Sequence, residues 1–505
     1  MKYPIGIQDF REIRTGGYVY VDKTQHIYHL LYGGKYFFLS RPRRFGKSLL
    51  LSTMNELYSG SRDLFEGLWI HDQWDWETQQ RPVIWLKFAT FQYKDYQLRD
   101  AIIAGLAKEA ERLGVTPPDG EMVHPLQDLL QKVNAHYGQK AVLLIDEYDK
   151  PIIDFLDDIA RAESNRDTLK WLYSILKDSD PYIELLFITG VSAFSKVSIF
   201  SDLNNLSNLT LSIHAYTLLG LTQQELETNF PQQMAEVDRE KMKTWYNGYA
   251  WGEQEKVYNP FSVLRFFNEG YQYQNFWFET GTPTFLVSAM KDQGNYNVKA
   301  IQVSQNKLSA FDFTRLDPIT VLFQTGYLTI THYEPEDYLY TLDYPNMEVR
   351  QSLEQNLLTD YLDFPVEDPL ARVVGLRNAL RRKDIAEVIN IMNATFASLP
   401  YDLWLSDKEH FFHAIIHLTF SLLGTYIRSE AHTAQGRCDA LVETADHIYA
   451  FEFKRDKTAA AALQQIKDKG YLLPYADSKK ERIAVGVNFS SETKQVVDWV
   501  VAEEG

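Results

Sequence analysis

The sequence has one cysteine, Cys438, in 505 residues, so no disulfide can form within the chain. This fits a reducing compartment. Long apolar runs are missing too. No stretch approaches the ~18 uninterrupted apolar residues of a membrane span. The opening MKYPIGIQDFREIR lacks the apolar core of a signal peptide. Both point to a soluble cytoplasmic protein. Positive charge is in deficit, with 51 Lys and Arg against 68 Asp and Glu, a net charge of −17. That argues against a broad nucleic-acid-coating surface, because phosphate contacts need clustered cations, but leaves room for a local basic groove. Internal repeats and low-complexity linkers are also absent.

The chain is rich in aromatics, with 31 Tyr and 29 Phe, and has ample apolar material for several cores. Short apolar runs punctuate its first 200 residues: Tyr36–Leu39, Val83–Leu86, Val142–Ile145 and Ile183–Ile188. Helical patterns lie between them, at Leu98–Leu113 and Leu126–Val133. Such alternation predicts an α/β layer fold with a parallel sheet. Thr222-Gln223-Gln224-Glu225 is a capping box opening a helix, and the chain is helical and aromatic from there to about 280. Ile319–Gln324 then reads as a helix, Tyr327–His332 and Tyr338–Leu342 as a hairpin, and a helix starts near Asn346. Helix, hairpin, helix is compatible with a winged-helix module. The last block carries a helix (Lys408–Leu423), two antiparallel strands (Cys438–Glu443, His447–Lys454), a helix (Ala459–Lys469) and a strand (Arg482–Phe489). The expected division is 1–220, 221–290, 291–395 and 396–505.

The first chemical motif follows the first apolar run: Ser40-Arg41-Pro42-Arg43-Arg44-Phe45-Gly46-Lys47-Ser48, then a helical face of Leu50, Leu51, Met54, Leu57 and Tyr58. Strand, tight loop ending Gly-Lys-Ser, and helix form the setting of a phosphate-binding P-loop. The loop and helix start aim N–H groups at an anion. Gly46 permits close approach, Lys47 reaches the β/γ-phosphates, and the Ser48 hydroxyl serves Mg²⁺. The general pattern begins with Gly, where this chain has Arg41. Gly-Lys-Ser alone could be no more than a basic turn. The second motif changes the balance: Val142–Ile145 delivers Asp146 and Glu147 at a strand end, where open α/β sheets bind ligands. Asp146 is expected on the Mg²⁺ side, and Glu147 as the base for an attacking water. Thr189-Gly190-Val191-Ser192-Ala193-Phe194-Ser195-Lys196, after the fourth run, is either a γ-phosphate sensor or an ordinary glycine turn.

Near the C-terminus, Asp439 precedes Glu452-Phe453-Lys454. Residues i and i+2 of a strand share a face, so Glu452 and Lys454 point together. Asp439 joins them if the strands pair across Glu443–Asp446. Two carboxylates and a lysine suit metal-dependent phosphodiester hydrolysis. Glu409, on the preceding helix, is a candidate to complete the metal shell, and Gln465 falls near the same edge. The plain alternative is a half-exposed hairpin with alternating charges. His410, His413 and His417 share helical spacing, but with no cysteine pair or fourth ligand nearby an amphipathic helix is the better reading.

The chain resembles the bacterial AAA-ATPase-like proteins that carry a C-terminal PD-(D/E)xK nuclease superfamily domain. The resemblance rests on Gly17–Thr24, Arg41–Ser48, Leu144–Pro151, Ile188–Phe200, Trp245–Tyr249, Tyr258-Asn259-Pro260-Phe261 and Gln465–Tyr471. That family's loop reads Arg-Pro-Arg-Arg-Phe-Gly-Lys-Ser, so Arg41 departs from the general motif rather than from the family. The resemblance implies an α/β multidomain protein: a P-loop NTPase sheet, a helical middle and a restriction-endonuclease-like α/β domain. It also implies ATP on Arg43, Arg44, Phe45, Gly46, Lys47, Ser48 and Asp146, with Arg43 and Arg44 lending charge to the phosphates. Mg²⁺ is expected on Ser48 and Asp146, and again on Asp439, Glu452 and Glu409. Glu147, Asp439, Glu452 and Lys454 are the expected catalytic residues. The expected activity is an ATP-driven switch or motor joined to a Mg²⁺-dependent nuclease, with nucleic acid at the C-terminal domain. The competing readings are a nucleotide-controlled protein that binds without cutting, and a small-molecule kinase. DNA versus RNA and the oligomeric state stay open. Residues 401–505 carry 12 Lys and Arg against 16 Asp and Glu, so any nucleic-acid groove is local. Lys467, Lys469, Lys479, Lys480 and Arg482 are candidates for its rim.

Overall fold

The computed structural model describes the whole chain except residues 120–123, 194–198, 201–202, 204, 254, 278–283, 293–296, 310–316, 363–368, 398–408, 425–427, 431–437 and 505. The chain is an α/β multidomain protein, and its residues gather into two compact units. The first holds Met1–Thr280 and Val298–Val349, the second Gly281–Asn297 and Arg350–Gly505. The fourfold division expected from the sequence is finer than these two units. The 221–290 segment mostly joins the first unit, and the 291–395 segment is split. The reason is side-chain pairing: Thr329 donates to the carbonyl of Ala250 at 3.0 Å and accepts from its N–H at 2.7 Å. Gln324 accepts from the N–H of Ala193 at 3.0 Å.

The core of the first unit is a five-stranded parallel sheet: β1 (Tyr36–Ser40), β2 (Val83–Lys87), β3 (Ala141–Asp146), β4 (Ile183–Gly190) and β5 (Ser207–Asn208), in the order β2-β3-β4-β1-β5. Every residue of β1 and β3 is buried, which is why they read as unbroken apolar runs rather than alternations. Helix Lys47–Tyr58 leaves β1 with Leu50, Leu51, Met54, Leu57 and Tyr58 buried, the face expected. The order puts β4 between β1 and β3, so the phosphate loop and Asp146 stand on either side of the β4 end.

Helix Gln223–Asn229 opens on the expected capping box, with both reciprocal hydrogen bonds formed. The helix–hairpin–helix reading is met by Pro318–Thr325, β7 (Thr329–Glu334), β8 (Leu339–Asp343) and Met347–Leu362, with β6 (Ile301–Ser304) added beside β8.

The second unit carries the sheet β13-β12-β11-β10-β9, built from β9 (Arg428–Glu430), β10 (Ala440–Glu443), β11 (His447–Arg455), β12 (Glu481–Ser490) and β13 (Gln495–Glu504). β10 and β11 pair antiparallel, and β11 and β12 parallel with helix Ala459–Lys469 as the crossover. Gly486 lets that helix close onto β12: a Cβ there would meet the Ala459 carbonyl at 2.3 Å. Strand β13 was not expected from the sequence. Among the described residues no helix is long and apolar enough to cross a membrane.

Candidate nucleotide site and candidate nuclease site

Two backbone turns shape the phosphate loop. Gly46 has φ 96° and Arg44 φ 66°. The first is the conformation a glycine adopts at no steric cost, and it releases the chain into the helix at Lys47. Arg41 occupies the position where the general motif has glycine, and it is almost wholly buried. Its guanidinium donates to the carbonyls of Ser40 (2.8 Å), Thr210 (3.0 Å) and Ala215 (2.8 Å), and stacks 3.9 Å from the ring centre of Trp251. Arg41 therefore anchors the loop's first residue to the chain beyond β5, and burial lowers its pKa. Phe45 is packed edge-on against Tyr249 and Trp251. Its buried ring is a packing group, so what it can offer an anion is its backbone.

Lys47 is buried, and its Nζ donates to the carbonyls of Arg41 and Pro42 at 2.9 Å each. Burial lowers its pKa, while the charges of Asp146, Asp149 and Glu147 pull the other way. A cavity of about 570 Å³ lies against it, lined by Arg43–Leu50, Glu147, Asp149 and Lys150 on the polar side. Ile5, Val21, Ile27, Leu221, Phe261 and Leu264 are among its apolar walls. A triphosphate end and a flat apolar end are what a nucleotide requires, and the volume is in the range of ligand pockets.

Asp146 does not line this cavity. It is buried, with Oδ1 accepting from the Thr189 hydroxyl at 2.8 Å. Glu147 lines the cavity in a left-handed conformation, φ 53°, a strained geometry that tends to cluster at functional sites. Ser48, at the start of its helix, lines the cavity too. Arg43 is exposed beside it. Arg44 donates to the Phe276 carbonyl at 3.1 Å and lies 3.6 Å from the ring centre of Phe261.

Asp149 lies three residues beyond Asp146. The structure makes it a brace: its Oδ2 accepts from the N–H groups of Val191 (2.9 Å) and Ser192 (2.6 Å), tying the end of β3 to the end of β4. Burial raises its pKa to about 6, opposed by Ser192 and by the charge of Lys47. The last three residues of the candidate sensor segment, 194–196, lie outside the described residues. Lys23 was also not foreseen. It lines the cavity and bonds to the Thr217 carbonyl (2.8 Å) and the Glu225 carboxylate (2.7 Å), joining the N-terminal segment to the capping box.

In the second unit the antiparallel register puts Ala440 opposite Phe451, so Asp439 and Glu452 fall side by side. Asp439 Oδ2 accepts from the N–H of Phe453 at 2.7 Å. Glu452 is buried, and its Oε1 takes Lys454 Nζ at 2.9 Å and the amide of Gln465. Its Oε2 is buried without a partner among the described residues. Burial, with the nearby charge of Asp439, pushes Glu452 up to about 7 against the pull of Lys454. Tyr471 is buried beside this group, bonded to Gln465 and sensing the charges of Glu452 and Asp439. Asp439, Glu452 and Lys454 thus come together as expected. Glu409 starts helix Glu409–Leu423, but its side chain, like those of His410 and His413, lies outside the described residues. Among the described residues no group of three or more His, Cys, Asp or Glu is placed to hold a metal ion. The Asp439–Glu452 pair, with Glu452 Oε2 buried and unpartnered among the described residues, is the place where a divalent cation would offset two neighbouring carboxylates.

Residues 4–200 match the family model described as predicted AAA-ATPase, and residues 407–499 match the PD-(D/E)XK nuclease superfamily. A protein described as uncharacterized, in the vnfD 5′ region of Azotobacter chroococcum mcd 1, is 38% identical over all of this chain and 99% of its own length. The chain belongs to the AAA-ATPase-like family with a C-terminal PD-(D/E)XK nuclease superfamily domain. In this AAA-ATPase-like protein the Lys47 loop falls inside the first match, and Asp439, Glu452, Lys454 and Gln465 inside the second. The two together make it a nucleotide-dependent, nuclease-like protein.

Proposed function

We propose that the first unit binds and hydrolyses ATP, and that this controls cleavage of nucleic acid by the second. The observation that carries the nuclease half is Glu452: buried, bonded through one oxygen to Lys454 and Gln465, and left with the other oxygen unsatisfied. Such an oxygen is costly unless something cationic takes it. A divalent cation held by Asp439 and Glu452, with Glu409 as a further candidate, would supply Lewis-acid activation of the attacking water. Lys454, on the same face as Glu452, positions that water and stabilises charge on the phosphate. Gln465 and the Phe453 N–H fix the two carboxylates in place.

At the nucleotide site Lys47 leaves the loop carbonyls for the β/γ-phosphates, while the helix start at Ser48 presents its N–H groups to them. Ser48 and Asp146 are the groups to hold Mg²⁺. Glu147, which lines the cavity, is the base. The test is incubation of the purified chain with labelled DNA and RNA, with and without ATP and Mg²⁺. Metal-dependent, ATP-sensitive cleavage is expected. Binding without cleavage under every condition would replace this reading with the non-cutting one.

A further inference from the structure

The Arg43–Arg44 part of the phosphate loop is held by one stretch of chain. The Arg43 carbonyl accepts from Asn259 Nδ2 at 3.4 Å and Trp277 Nε1 at 3.5 Å. Arg44 reaches the Phe276 carbonyl and the Phe261 ring. All four partners lie between 259 and 277, and one carboxyl group ties Ser262 to Trp277 within that stretch. Glu348 is 0% exposed, and its Oε1 accepts from the Trp277 N–H at 2.8 Å and the Ser262 hydroxyl at 3.1 Å. Its Oε2 has no hydrogen-bond partner among the described residues. A buried carboxyl half satisfied in this way costs stability, and neither the P-loop chemistry nor the sequence motifs call for it.

We propose that Glu348 is a positioning residue of the nucleotide site: it fixes the stretch that holds Arg43 and Arg44, and its charge competes with a bound triphosphate for Arg44. The inference rests on the reading that the Lys47 loop takes a triphosphate. Burial raises Glu348 to about 8, against the Trp277 and Ser262 hydrogen bonds and the positive charge of Arg44. It is therefore neutral at pH 7 and becomes a carboxylate above about pH 8. The other titratable groups that sense it are Tyr246 and Tyr249, whose pKa values burial raises, so both stay neutral through that range. An ionised Glu348 draws Arg44 toward the Phe276–Trp277 peptide and adds negative charge near an anionic ligand. Both effects weaken triphosphate binding. Lys47, with its own lowered pKa, weakens binding in the same direction, so the comparison with a variant isolates Glu348.

The experiment measures displacement of a fluorescent ATP derivative by ATP with Mg²⁺ from the full chain, between pH 6.5 and 9.5, for wild type and Glu348→Gln. Thermal unfolding is recorded at each pH. Wild-type affinity is expected to fall with a step near pH 8, at least roughly fivefold beyond the decline seen in Glu348→Gln, the low end of coupling between sites. Arg44→Met should lose the same step, since the charge being competed for is gone. Parallel profiles for wild type and Glu348→Gln overturn the inference, as does a wild-type profile with no step, which needs no variant to fold. A wild type that binds no triphosphate at any pH would instead remove the phosphate-loop reading beneath it.

Discussion

Replacing Arg41 with glycine restores the residue that begins the general P-loop motif, and the structure says that this should damage the protein. The guanidinium serves the carbonyls of Ser40, Thr210 and Ala215 and stacks on Trp251. Hydrogen bonds to a charged group contribute ~1.5–3 kcal/mol each, and a desolvated cation–π contact ~2 kcal/mol. Against that gross gain stands the desolvation of the ion, several kcal/mol, which the variant recovers. Glycine adds roughly 0.5–1 kcal/mol of unfolded-state entropy and leaves three buried carbonyls without donors. The net loss expected is ~3–5 kcal/mol, the usual consequence of removing one partner from a buried charged network. For a large unit this lowers the melting transition by roughly 5–10 °C. Arg41→Lys should fall between, because an ammonium lacks the planar, pre-organised fork with which the guanidinium serves three carbonyls. Differential scanning calorimetry of the full chain measures it, following the transition that ATP shifts. A glycine variant that melts at the wild-type temperature and binds ATP as well would refute the anchoring role.

The Lys47→Ala variant should fold normally and show no ATP heat in isothermal titration calorimetry. Undiminished affinity in the folded variant would remove the phosphate-loop assignment. Glu147→Gln should bind ATP but release phosphate ~10²–10⁴ times more slowly, as loss of a general base does; wild-type turnover would exclude Glu147, and Asp149, occupied as a brace, would not be the natural substitute. Asp439→Ala should lose both metal binding and cleavage, whereas Lys454→Ala should keep the metal and lose cleavage, with ATP binding intact in both. In the wild type, metal binding should weaken as pH falls through about 7, because Glu452 is raised to that value and a proton then competes with the cation. Cleavage persisting in Asp439→Ala would mean that the active site lies elsewhere.

Much of this was legible in the chain because the signals are local. The run Val142–Ile145 is buried on both faces, so composition alone marked it as a strand with Asp146 at its end. Gly46 and Lys47 are fixed by the geometry of one turn. The spacing of Asp439 from Glu452 across a short hairpin determined their meeting, since strand alternation and antiparallel register leave little freedom. Three elements were harder to see. Arg41 looked like a defect in a motif, because its three carbonyl partners lie at its neighbour and about 170 residues away. Strand β13 was missed in a C-terminal tail whose apolar residues are partly exposed at a sheet edge, so the alternation is blurred. Asp149 sits three residues from Asp146, and nothing local separates a metal carboxylate from one that binds the neighbouring strand's N–H groups.

The sequence by itself determined which residues are offered to each candidate site: Lys47 with Asp146 and Glu147, and Asp439 with Glu452 and Lys454. It did so because each member is carried by a local signal, a tight turn, the end of an apolar strand or a short hairpin. Only the tertiary structure decided what holds those sets in place. Asp146 is bonded to Thr189 because β4 is inserted between β1 and β3, an order that no local pattern encodes. Glu452 is satisfied on one oxygen because helix Ala459–Lys469 closes over Gly486 and brings Gln465 to it. Glu348 bonds, from 71 and 86 residues away, to the stretch that holds part of the phosphate loop. Burial and pairing at that range depend on which surfaces pack together, and that is a property of the whole fold.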